Sequence, residues 1–157
     1  MTPPPDPADP SVADPSAAGA SAACLFCRIV AGDEPAEIVH ADDVAVAFLD
    51  VRPLFHGHVL VVPRRHVVTL PELRDVGPLF ERVRAISERL PVEMGAQGTF
   101  VAMNNVVSQS VAHLHVHVVP RTRGDGLRGF FWPRTRYEAG EMAAVGARLR
   151  AAFDGLT

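Results

Sequence analysis

The sequence predicts an α+β domain: an antiparallel sheet of about five strands with one long helix, a short N-terminal helix and a C-terminal helix. Three observations carry that prediction. Short β-prone runs follow one another through brief turns instead of alternating with helices, which favours antiparallel pairing. A single apolar stripe at helical spacing separates the third run from the fourth. The run His113–Val119 alternates histidine with aliphatic residues at the period of a strand.

The elements follow in order. Cys24 to Val30 is apolar enough for one short helix, stopped by Gly32 and Pro35. Glu37–His40 and Val44–Leu49 read as a hairpin through Ala41-Asp42-Asp43, after which Asp50-Val51-Arg52-Pro53 breaks the chain. His58–Val62 is a third strand, ended by Pro63. Leu70, Leu73, Val76, Leu79, Val83, Ile86 and Leu90 recur at helical spacing, with regular helix expected from about Pro78. Thr99–Met103 and His113–Val119 supply two more strands, and Met142, Val145, Leu149 and Phe153 mark an alanine-rich C-terminal helix.

The 157 residues fit one domain with an appendage better than two domains. Residues 1–23 hold six prolines, many alanines and three aspartates, and no residues that could seed a core. Such a segment buries too little surface to offset its ordering entropy and is expected to be a disordered tail, leaving 24–157 as the folded domain. It lacks the basic start and apolar centre of a signal peptide, and no run approaches the length of a membrane span, so a cytoplasmic protein without a membrane partner is expected. All three acids of that tail removed, the remainder is formally neutral, which argues against a general nucleic-acid binder. Every basic residue but the histidines is arginine, which excludes Schiff-base chemistry on lysine.

In a strand, His113, His115 and His117 share one face and Leu114, Val116 and Val118 the other. Three imidazoles stacked over an apolar underside are rarely a packing requirement. Two chemistries fit them: a metal site, in which alternate histidines grip one ion, or phosphoryl transfer with one imidazole as nucleophile. No Asp or Glu lies between Met94 and Pro120 to complete a catalytic metal site locally. The preceding Asn104-Asn105-Val106-Val107-Ser108-Gln109-Ser110 offers amides and hydroxyls suited to phosphate.

His-Leu-His-Val-His-Val-Val resembles the signature of the histidine triad superfamily. Gln109-Ser110-Val111, Pro120-Arg121, Cys24-Leu25-Phe26-Cys27, Phe48-Leu49-Asp50 and Gly57-His58-Val59-Leu60-Val61-Val62-Pro63 are similar to its usual context, in the right order. The resemblance covers about Cys24 to Tyr137 and lies nearest the nucleoside phosphoramidases and dinucleoside polyphosphate hydrolases. It implies a nucleotide substrate, of adenosine type, attacked at the α-phosphorus by His115 to give a nucleotidyl-histidine. His117 would bind phosphate and help the leaving group. Ser110 and Gln109 would hold phosphate or bridging oxygens, with Asn104 or Asn105 beside them. Asp50 would accept bonds from the ribose hydroxyls, and His58 would line the same pocket. It also implies a homodimer in which the segment carrying Arg121, Arg123, Arg128, Arg134, Arg136 and Trp132 reaches the neighbouring site. This chain departs from many relatives in one respect: its loop before Gln109 has no glycine, so free access to positive φ is not expected there.

Cys24 and Cys27 have the spacing of half a tetrahedral zinc site, or of a redox or simply buried thiol pair. The resemblance supplies the other half in His66 and His113, which would make the zinc structural and remove His113 from proton transfer. Two rival readings stay open: a non-catalytic nucleotide-binding or scaffold protein, and a zinc hydrolase that uses the triad as ligands.

Overall fold

The computed structural model describes residues 24–127 and 136–153. The expected tail 1–23, Arg128, Phe130-Phe131-Trp132 and Arg134 lie outside the described residues. The chain divides into two units, one through Asp125 and one from Gly126 onward.

The first unit contains helix α1 (Leu25–Ala31), strands β1 (Ile38–Ala41), β2 (Ala45–Leu49) and β3 (Val59–Pro63), a 3₁₀ turn (Leu70–Glu72), the long helix α2 (Val76–Met94), and strands β4 (Gly98–Ala102) and β5 (Val116–Arg121). The five strands form one antiparallel sheet in the order β1-β2-β3-β5-β4. The fold class and element count are those read from the sequence. The second unit holds helix α3 (Glu141–Ala152), none of whose residues is buried. Among the described residues, no helix is long and apolar enough to cross a membrane.

The sheet sits between two helical layers, and strand alternation sorts the side chains between them. Ala45, Ala47, Val59, Val61, Leu114, Val116 and Val118 pack with Leu79 and Val83 of α2. Val46, Phe48, Leu60 and Val62 pack on the other face with Phe26 and Ile29 of α1. The central strand β3 is buried throughout because both of its faces are covered. The imidazoles of the β5 segment therefore belong to the α1 side, and its aliphatic residues anchor it to α2.

Two local differences from the sequence expectation have identifiable causes. The fifth strand begins at Val116 instead of His113. Its ladder with β3 ends at the Val61–Val116 pair, and two steps on it would meet Pro63, which has no N–H to give. Leu114 N–H bonds the Val67 carbonyl at 2.7 Å instead, and His113 N–H bonds the Val111 carbonyl at 2.8 Å. Before α2, Leu70 opens the 3₁₀ turn and Leu73 caps it, and the helix opens at Val76 with Pro78 as its third residue. A missing N–H is harmless there, because the first turn has no carbonyl to receive it.

The β1–β2 turn is fixed by Asp42, whose carboxylate accepts the Val44 and Ala45 N–H groups at 2.9 Å each and pairs with Arg82 of α2 at 2.7 Å. The Ala45 amide, then Arg82, hold this carboxyl well below the usual carboxylate range.

Leu79 is 1% exposed at the centre of the α2 contact. Leu79→Ala should lower unfolding free energy by about 2–5 kcal/mol, the usual cost of such a cavity. Val92→Ala, at a position 79% exposed, should change it by less than about 0.5 kcal/mol. Urea denaturation of the two variants checks the contrast, and equal losses would contradict this packing.

Candidate active site

The site is built where the β5 segment passes under α1. A cleft of about 390 Å³ opens there, its walls including Phe26, Asp50, Ser110, Val111, His115 and His117. Asp50 follows β2 and His58 precedes β3, joined by a bond from Asp50 N–H to the His58 carbonyl at 2.9 Å. His117 lies in β5 opposite Leu60 of β3 and Ala102 of β4. The His115 and His117 rings are 5.0 Å apart.

Hydrogen bonds to backbone groups of fixed polarity determine which nitrogen of each imidazole carries hydrogen. His115 Nδ1 lies 2.8 Å from the His113 carbonyl, which can only accept. Nδ1 is therefore protonated and donates, and Nε2 keeps its lone pair. Leu54 N–H donates to His58 Nδ1 at 3.2 Å, so neutral His58 carries its hydrogen on Nε2. His58 Nε2–H then donates to His117 Nδ1 at 2.9 Å, which leaves His117 with Nε2–H as its donor. The two neighbouring rings thus present opposite polarity: a lone pair on His115 and a proton on His117.

Burial pushes the His117 imidazole down to about 4, with nearby His115 and His58 reinforcing the effect and Asp50 opposing it. Burial also lowers His58, again against the pull of Asp50. The Asp50 carboxylate is 3.6 Å from His58 Nδ1, and its other oxygen accepts the Arg52 N–H at 2.8 Å. Asp50, His58 and His117 come close enough to suggest a metal site. The Leu54–His58–His117 bonds already occupy the ring lone pairs that an ion would need.

A second cluster lies behind the first. Cys24, Cys27, His66 and His113 place one ligand atom each within 4.8 Å of one another. Cys27 Sγ is 3.1 Å from His66 Nδ1 and 3.4 Å from His113 Nδ1, and Cys24 Sγ is 3.6 Å from His113 Nδ1. Sulfur and nitrogen ligands on one tetrahedral zinc lie about 3.5 Å apart, so the four residues fit that ion. His113 Nε2–H donates to the Pro63 carbonyl at 2.9 Å, turning the Nδ1 lone pair toward the thiols as a metal-bound histidine requires. Burial pushes His113 down to about 4, against the effect of the Pro63 bond.

Not every residue expected at the site lines the cleft. Asn104, Asn105 and Gln109 stand outside it, their amides engaged within the chain. The loop they belong to adopts positive φ without glycine, at Val106 (+69°) and Ser108 (+61°), a strain of roughly 1–3 kcal/mol each. Phe26 has no polar group, so the sequence carries no signal for its place at the site beyond its position between Cys24 and Cys27. Its ring packs edge-on against His115 at 5.2 Å and lies 6.1 Å from His113, closing the α1 side of the site. His40 and His56 are exposed and away from the cleft.

Residues 31–124 match the HIT domain family. The chain belongs to the histidine triad (HIT) family. A HIT-like protein of Methanocaldococcus jannaschii is 37% identical over 107 residues, spanning 66% of this chain and 82% of its own length. The adenosine 5′-monophosphoramidase of Schizosaccharomyces pombe is 30% identical over 129 residues, spanning 81% of this chain and 96% of its own. The crystal structure of a zinc-bound histidine triad family protein from Mycobacterium smegmatis aligns with a TM-score of 0.60 at 36% identity, covering 84% of this chain and 99% of that one. In this HIT chain the triad histidines have three different settings: His113 faces the thiols, His115 offers a lone pair and His117 a proton.

The tautomers are directly observable. Long-range ¹H–¹⁵N NMR should find hydrogen on Nε2 of His117, with the ring titrating near pH 4 instead of its ordinary value of 6.5. The unfolded chain then binds more protons between those two pH values, so His117 makes stability rise with pH across that window. A His117 titration near 6.5, or hydrogen on Nδ1 alone, would contradict the bonding described.

Proposed function

We propose that this HIT protein cleaves nucleoside 5′-phosphoramidates or dinucleoside polyphosphates at the α-phosphorus, through a nucleotidyl-histidine intermediate on His115. The observation that carries this reading is the pairing of an imidazole lone pair with an imidazole N–H, 5.0 Å apart between ring centres, in one cleft. A nucleophile and a proton donor side by side are what displacement at phosphorus with a poor leaving group requires. The similarity to a monophosphoramidase over 96% of that enzyme's length supports the substrate class.

The roles follow from position. The ribose hydroxyls donate to Asp50, whose carboxylate borders the cleft, and the base lies against the apolar wall of Phe26, Ile29 and Phe48. Ser110 and His117 Nε2–H hold the phosphate oxygens. His115 Nε2 attacks phosphorus, and the Nδ1–H bond to the His113 carbonyl stabilises the positive charge that grows on the ring. The bound phosphate and Asp50 favour an added proton on the coupled His58–His117 pair. That pair protonates the departing atom and recovers a proton from the water that resolves the intermediate. His115 is regenerated with its lone pair.

Zinc is proposed as a structural ion on Cys24, Cys27, His66 and His113. It would supply cross-linking, tying α1 to the segment that carries the triad. A homodimer is proposed as well: among the described residues β4 is an edge of the sheet, and its Val101 is 41% exposed.

Kinetics, elemental analysis and melting temperature test these readings. His115→Ala should lose at least about three orders of magnitude in kcat on adenosine 5′-phosphoramidate while still binding AMP, as expected for loss of a covalent nucleophile. His117→Ala should lose less with activated leaving groups than with amines. Retained turnover in His115→Ala, abolished by a chelator, would replace this mechanism with a metal-dependent one. Separately, elemental analysis of protein purified without chelator should find one zinc per chain. The Cys24→Ser/Cys27→Ser variant should melt at lower temperature, and an unchanged Tm would remove the structural role.

A further inference from the structure

The β4–β5 loop holds two strained residues that no packing requirement explains. Val106 sits at φ +69° at the apex of a tight turn closed by a bond from Val107 N–H to the Asn105 carbonyl at 2.9 Å. Ser108 follows at φ +61°. A β-branched residue avoids this region, and Val106 is 74% exposed, so no apolar contact compensates it. Something else must impose the shape.

The side-chain amides do so. Gln109 Oε1 accepts Val106 N–H at 2.9 Å, while Gln109 Nε2 donates to the Val68 carbonyl at 2.7 Å. Asn105 Oδ1 accepts Leu70 N–H at 2.7 Å, and Asn104 Nδ2 donates to the Ser108 carbonyl at 3.2 Å. The loop is thereby laced to residues 68–70, just beyond His66. Gln109 bonds the N–H of the strained Val106 as well as that segment, and it immediately precedes Ser110 at the cleft.

We propose that Gln109 is a positioning residue: it clamps the β4–β5 loop in its strained form onto the Val68 carbonyl and so seats Ser110 at the phosphate cleft. The inference rests on the α-phosphate reading given under Proposed function. The other role open to Gln109 is direct donation to substrate phosphate through its second Nε2 hydrogen, but Gln109 does not line the cleft, and the bonds it makes are those to Val106 N–H and the Val68 carbonyl. The task needs an acceptor and a donor at opposite corners of one planar group, which an amide has and a carboxylate lacks.

A mutant cycle separates the two roles. Gln109→Ala should reduce kcat/KM on adenosine 5′-phosphoramidate by about a hundredfold, the scale on which misplacing a site group acts. Gln109→Glu should fare no better, because its carboxylate would face the Val68 carbonyl. Adding Val106→Gly and Ser108→Gly to Gln109→Ala should restore at least about tenfold, since a relaxed backbone can revisit the required shape without being forced. If Gln109 bonds phosphate directly, the glycines restore nothing, and that result overturns the proposal. So would wild-type kcat/KM in Gln109→Ala.

Melting temperature reads the clamp without any turnover. The two glycines should raise Tm when Gln109 is present, because they relieve imposed strain. They should raise it little in Gln109→Ala, where the loop has already relaxed. Equal gains in both backgrounds would overturn the clamp. Absence of turnover in the wild-type chain would count against the phosphoryl-transfer reading and leave this thermal cycle as the test of the clamp.

Discussion

The bond from His115 Nδ1–H to the carbonyl of His113 is the constraint on which the chemistry of this chain depends. It is local, joining residues two apart. It forms because the chain leaves the sheet at this point and has no ladder partner for that carbonyl. Pro63 on the neighbouring strand cannot donate, so the β5 ladder stops at Val116 and the triad's first half is free to bend toward α1 and residues 66–70. The same logic runs through Leu54, whose N–H sets the tautomer of His58 and, through it, that of His117.

Packing makes these bonds dependable. Leu114, Val116 and Val118 are fully buried against α2, which fixes the strand's rotation and keeps all three imidazoles on the α1 side. Phe26, held against Phe48 at 5.3 Å, closes that side over His115. The Cys–Cys–His–His cluster joins the same elements from behind, since His113 belongs to the triad and both thiols to the α1 segment. Cross-linking there by zinc would stabilise the placement of α1, and with it the cleft wall, without contact with substrate.

Much of this was legible in the sequence because it rests on periodicity. The alternation from His113 to Val119 identifies the face of each imidazole whether or not the ladder reaches His113. The stripe through Leu79 and Val83 locates the long helix for the same reason. Other features depend on which backbone group happens to face a side chain, and composition carries no signal for that. The amides of Asn104, Asn105 and Gln109 suit phosphate by residue type, yet the fold engages them within its own loop. Likewise the rule that positive φ calls for glycine did not anticipate Val106 and Ser108, because the bonds that impose their conformation come from Gln109 and from residues about forty positions earlier.

In the proposed mechanism His115 Nε2 is the attacking atom, and a bond formed there can be located. Protein mixed with adenosine 5′-phosphoramidate, quenched within the first turnover at alkaline pH and digested, should yield a peptide containing His115 that carries one nucleotidyl group. ³¹P-coupled NMR of that peptide should place phosphorus on Nε2, the nitrogen that the bond to His113 leaves unprotonated. Phosphorus on Nδ1, an adduct on His117, or turnover with no adduct at His115 would contradict it.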